Sequence, residues 1–141
     1  MKTIGMQRHQ TIESLTSQHV VQGTQAQIIL WEQMSVQIIL IVGEDGFHSL
    51  FARSVFLIHS KFPWITSDTW TAPFDHRFAV LKTNLQTQTA TVAVEANCAL
   101  LVTLTDILAS LIGEPLTASI LGSAWGHPAQ ISADKDKKDE S

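Results

Sequence analysis

The feature that most constrains the fold is a pair of matching turns. One stretch runs from Ile38 through Gly43-Glu44 to Phe51, the other from Leu108 through Gly113-Glu114 to Leu121. Of the 14 aligned positions, three are identical (Gly43 with Gly113, Glu44 with Glu114, Ser49 with Ser119) and six pair apolar with apolar, enough to align two hairpins. Each Gly-Glu follows an apolar run of helical spacing and precedes a second one. The pattern predicts two similar helical hairpins, at about 25–62 and 89–124, joined by a loop and a short helix. That is an all-α bundle of five to six helices. Duplication and independent use of one turn chemistry both remain open as its origin. The match names an architecture and no chemistry.

Periodicity fills in the elements. Ile28, Trp31, Ser35, Ile38 and Val42 recur at helical spacing, with Ile39 and Ile41 widening the stripe, and predict a first strong helix over 25–42. Gly43 supplies a left-handed stop. Glu44 and Asp45 put negative charge where the next helix begins, which suits its dipole. Phe47, Leu50, Phe51, Val55, Ile58 and Phe62 form the core face of a helix over 47–62, stopped by Pro63. Phe74, Phe78, Leu81 and Leu85 predict a helix over 74–85. The run 86–94 has strand propensity without a partner strand, so 89–112 reads as one long central helix with a narrow polar stripe of Thr103, Asp106 and Ser110. Pro115 suits the first turn of a last helix ending near Ala124. The chain thus divides into a polar arm or short helix (1–24), a bundle domain (25–125) and a disordered charged tail (126–141).

Composition narrows the function classes. The chain has 141 residues, is 45% hydrophobic and only 16% charged, and seven of its 22 charged residues lie in 134–140. A body so poor in charge favours hiding surface against a partner, a homodimer first. Net charge is −4 and the cations are scattered, unlike the basic footprint of a nucleic-acid binder. A single cysteine, Cys98, excludes an internal disulfide and fits a reducing compartment. The two greasiest stretches, 26–42 and 96–112, fall short of the about 20 apolar residues of a membrane span and are interrupted by polar groups. They read as core helices of a soluble cytoplasmic protein.

Few residues point to chemistry. His59, with Lys61 two positions on, has the makings of a phosphotransfer site, an imidazole to accept the phosphoryl group and a cation to balance it. Phe62-Pro63 breaks the helix at once, and a solvent-facing or Trp-packed histidine is the plainer reading. Glu44, Asp45 and His48 fall within about one helical turn, a degenerate half of a carboxylate-iron site whose echoed half offers no histidine. Asp106 sits in an otherwise apolar helix, where an unpaired buried charge is costly. It is either a solvated member of the polar stripe or a ligand or partner contact, with Arg53 or Arg77 as ion-pair mates. Trp64 and Trp70, in a loop over 63–73, would cap the open end of the bundle or line an apolar pocket gated by Asp106. Cys98 has no catalytic context, and no phosphate loop, nucleophile elbow or zinc spacing is present. No cofactor or metal is expected.

Two blocks, Gly43 to Ser54 and Ile107 to Thr117, resemble those of small uncharacterised bacterial all-helical proteins that accompany two-component signalling genes. The resemblance implies a bacterial source and a signalling role, with a kinase or receiver as partner. It carries over no catalytic residues. The expectation is a non-enzymatic helical interaction or regulatory module. The alternatives are a phosphotransfer protein using His59 and a small apolar-ligand-binding bundle.

Overall fold

The computed structural model describes residues 2–18, 23–66 and 78–126, with side chains from Gln7 onward. It is an all-α bundle of five helices with no strand among the described residues: α1 (Lys2–Gln18), α2 (Thr24–Ile58), α3 (Ala79–Gln86), α4 (Ala90–Ile112) and α5 (Glu114–Trp125). α4 is central. Leu100, Leu101, Leu104 and Leu108 are all fully buried, and α1, α2 and α5 pack around it. The N-terminal segment, open between arm and helix in the sequence, is helical. Its face at Arg8, Ile12 and Thr16, spaced by four, is buried against the bundle.

α2 is broken at Gly43, where φ is 83° and ψ 170°, and α4 ends at Gly113, with φ 97° and ψ 151°. Positive φ was expected at both. The ψ values correct the rest: these are not left-handed helical stops but an extended, positive-φ conformation that is essentially confined to glycine. It turns the chain between two helices with no intervening loop. The match extends to the side chains. From 38 to 51 and from 108 to 121, corresponding residues share the same degree of burial except at two places. Glu114 is more buried than Glu44. Gly46 is more buried than Leu116, and a β-carbon on Gly46 would fall 2.9 Å from that of Val42.

The same register, an offset of 70 residues, pairs Gln27 with Asn97, and these two buried amides touch. Asn97 Nδ2 donates to Gln27 Oε1 at 2.7 Å. The chain of bonds runs further: the Trp31 indole donates to Asn97 Oδ1 at 2.6 Å, and Gln27 Nε2 donates to the Thr16 carbonyl at 2.9 Å. Four buried residues on α1, α2 and α4 are thereby joined and satisfied. Trp31 is also an aromatic hub. It lies edge-on to Phe51 at 5.4 Å across the Gly43 break, so the halves of α2 fold back on each other, and tilted against Phe78 at 5.7 Å. Phe78 meets Phe47 edge-on at 6.1 Å. At the far end of α5, Trp125 Nε1 donates to the Leu30 carbonyl at 2.9 Å, fastening α5 to α2.

Element ends differ modestly from expectation. α2 stops at Ile58, and the chain continues through a turn in which Phe62 N still donates to the Ile58 carbonyl, so Phe62 keeps its place in the core. The third helix starts at Ala79; Phe74 lies outside the described residues. α4 starts at Ala90 with Thr89 as its cap, the hydroxyl accepting from Val92 N. The tail from 127 on also lies outside the described residues. By length and composition alone, α2 and α4 are each apolar enough to cross a membrane, and less than half of each one's most apolar window is buried inside the bundle.

Two substitutions test this architecture by thermal or chemical denaturation. Gly43→Ala and Gly113→Ala should each destabilise by about 1–3 kcal/mol. A β-carbon would meet nothing within 4 Å at Gly43 and only Pro115 Cδ, at an ordinary 3.8 Å, at Gly113, so the cost lies in the backbone and should be similar in the two. Leu108→Ala should cost on the order of 2–5 kcal/mol, because the site is enclosed on all sides and leaves a cavity.

Candidate functional site

Asp106 is paired, and its partners come from α1. The Arg8 Nη1 atom lies 2.6 Å from Asp106 Oδ1 and donates to the Thr105 hydroxyl at 2.9 Å. The same guanidinium grips Glu114 with its other edge, Nη2 to Oε1 at 2.5 Å and Nε to Oε2 at 3.2 Å. This forked geometry is what a guanidinium offers a carboxylate. His9 Nε2 sits 2.8 Å from Asp106 Oδ1 on the outer side. Arg8 is buried, Glu114 partly so, and Asp106 reaches solvent. Burial works against the charged guanidinium, but the hydrogen bonds and charges of Glu114 and Asp106 outweigh it and hold the Arg8 pKa above its ordinary value. Thr105 completes the set by donating its own proton to the Leu101 carbonyl. Each nitrogen of the Arg8 guanidinium therefore has a partner within the bundle. The cluster is a clamp between α1 and the α4–α5 corner, with His9 and Asp106 at its solvent-facing edge.

The other residues singled out by sequence are scattered. Arg53 is exposed, with its guanidinium 5.7 Å from the centre of the Phe56 ring rather than at Asp106. His59 is exposed at the C-terminal cap of α2. That is the negative end of the helix dipole, an unfavourable place for a phosphoryl group. Trp64 is half-buried, edge-on to Phe62 at 6.0 Å. Trp70 and Arg77 lie outside the described residues. Among the described residues, no three histidine, cysteine or acidic side chains gather in a way that would hold a metal ion. A cleft of about 190 Å³ lies away from both Trp64 and Asp106, between the starts of α2 and α4, lined by Thr24, Gln27, Leu85, Gln88 and Ala93 among others. Burial pushes the Cys98 thiol up, a hydrogen bond with Thr16 opposing the shift, so it is a poor nucleophile.

What stands out is the surface. Ile29, Val36 and Leu40 are exposed by 41%, 44% and 74%, and their spacing of seven and four puts them on one side of α2 with the exposed Gln33 between. Ile41 and Leu111, which correspond in the repeat, are both exposed just before their glycines. Ile29, Val36 and Leu40 share the outer side of α2 with the exposed Glu32 and Gln33. Sequence reading took 25–42 as a core helix and so passed over its outward side. The signal was there: Ile29, Val36 and Leu40 follow a 3.5-residue seam that the core stripe does not need. Arg8 and His9 gave no signal, because nothing in a polar, weakly periodic arm marks which cation will be buried.

No protein-family model, curated protein or solved structure matches this chain.

The clamp makes a measurable prediction. Arg8→Met keeps the apolar stem and removes the charge, leaving Glu114 and Thr105 short of a donor. It should destabilise by about 1–3 kcal/mol, less than for a fully buried pair because Asp106 can return to water. In a double-mutant cycle with Glu114→Gln, the two losses should fall short of additive by on the order of 1 kcal/mol.

Proposed function

We propose that this chain is a helical protein-interaction module that works as a homodimer, a soluble regulatory component of the kind used in bacterial signalling. The observation that carries the reading is the bare apolar seam of Ile29, Val36 and Leu40 on a helix whose opposite side is already core. A monomer would leave this surface in water, at roughly 25 cal/mol for each Å² of apolar area that a partner could cover. The polar clusters of the bundle support the same reading from the other direction, since Arg8, Asn97 and Gln27 spend their hydrogen bonds on joining helices. The buried amides on α2 and α4 find their partners on neighbouring helices, which favours reading both as core helices. The link to signalling rests on the resemblance of residues 43–54 and 107–117, and a kinase or receiver is the partner it suggests.

Sedimentation equilibrium of the purified full chain tests the proposal. The expected result is a concentration-dependent rise to twice the chain mass. A particle that stays at one chain mass up to the solubility limit would overturn it.

A further inference from the structure

The second half of α2 ends in a patch that is both cationic and apolar. Arg53, Phe56 and Leu57 are exposed, Phe56 by 70% and Leu57 by 47%. Spacings of three and four from Arg53 put them on one side of the helix. His59 and Lys61 follow at the same end, both exposed. The Arg53 guanidinium lies 5.7 Å from the centre of the Phe56 ring, and Lys61 Nζ lies 5.7 Å from that of Phe62. Each cation thus rests against an aromatic ring. Neither has an acidic partner among the described residues, where the ion pairs join Arg8 and His9 to Asp106 and Glu114.

The charge around the patch is one-sided. In a chain of net charge −4, residues 46–66 contain no aspartate or glutamate. α3 packs on α2 and is tied to the turn beyond it, where Thr66 N donates to Asn84 Oδ1 at 3.1 Å. That helix contributes Lys82 and no acid. Asp68 and Asp75 lie outside the described residues. Glu44 and Asp45 open the second half of α2, about two turns before Arg53. We infer that this end of α2 is a docking surface for an acidic segment of another protein, one that carries an apolar side chain among its carboxylates. The inference deepens the interaction-module reading above and rests on it, on a surface apart from the Ile29–Leu40 seam. Charge complementarity selects the occupant: carboxylates supply what Arg53 and Lys61 lack, and an apolar side chain covers Phe56 and Leu57. Arginine and aromatic residues are also what the centres of protein interfaces are enriched in, and they carry a large share of the binding energy there. An anionic lipid surface fits less well, since it is recognised by clusters of about four to eight lysines and arginines. Arg53 and Lys61 are two.

The probe is a fluorescein-labelled random copolymer of glutamate and tyrosine, titrated with the full chain and followed by fluorescence anisotropy. Labelled polyglutamate serves as the acidic polymer without an apolar residue, and phosphatidylserine vesicles as the anionic lipid surface. Phe56→Ser and Arg53→Gln are measured beside the wild type. Both side chains are exposed, so both variants should keep the wild-type helix content and melting temperature. The expected result is that the copolymer binds more tightly than polyglutamate, that salt weakens the binding, and that each variant weakens it by about tenfold or more. No binding of the copolymer, binding no tighter than that of polyglutamate, or binding that both variants leave unchanged overturns the proposal. Vesicle binding lost in both variants, with no copolymer binding, makes the occupant a lipid surface and overturns it too. Sedimentation equilibrium keeps the homodimer reading separate. A dimer that binds no copolymer leaves that reading standing and removes the docking surface, and a monomer that binds it does the reverse. A dimer that Phe56→Ser dissociates makes the occupant a second copy and overturns the acidic partner.

Discussion

A fully enclosed indole must find an acceptor for its N–H, and the way Trp31 does so organises the bundle. Its ring fills the space between the two halves of α2 and α3, against Phe51 and Phe78. Its N–H is passed to Asn97 on α4, which in turn holds Gln27, which holds the backbone of α1. An unpaired polar group at that depth costs about 1–3 kcal/mol, so the chain of amides works only when all its members are in register. The hydrophobic contacts around it tolerate several arrangements of greasy helices. The hydrogen bonds tolerate one. Four helices are located by this single point, and the rest of the fold can be described as what their connections allow.

The connections are made by glycine. Gly43 and Gly113 occupy the same backbone region, one that side chains exclude, and each turns the chain between helices without a loop. Because the helices on either side begin at once, the residues after the two glycines meet the core in the same order. This is why burial matches along both stretches and departs only where a neighbour intervenes. Glu114 differs from Glu44 because Arg8 lies on it. The repeat is thus a physical equivalence of two corners and their flanking helices, whatever its origin.

α1 breaks the symmetry of that repeat. It covers one of the two equivalent faces and meets it with a buried arginine, a histidine and a threonine, chosen for the acids and hydroxyl that α4 presents. The other face has no acid at the matching position and is lined by isoleucine, valine and leucine. The low charge of the body, unusual for a chain of this size, shows there: the exposed side of α2 carries apolar groups, glutamines and a single acid, Glu32.

The sequence by itself determined the all-α class, the glycine corners and most of the core. Trp31, Ile38, Phe47, Leu50, Phe51, Val55, Phe62, Leu81, Leu85 and Leu108 were legible because helical periodicity records burial one element at a time, and all are buried. Only the tertiary structure decided which polar groups would meet. Arg8 and Asp106 are 98 residues apart, and Trp31 and Asn97 are 66 apart; nothing within either helix marks its partner, because a hydrogen bond between elements depends on how they are stacked and not on local spacing. The same is true of the seam on α2. An apolar residue in a sequence says that it would rather leave water, but whether its own chain covers it or leaves it for another is settled by where the remaining helices have been placed.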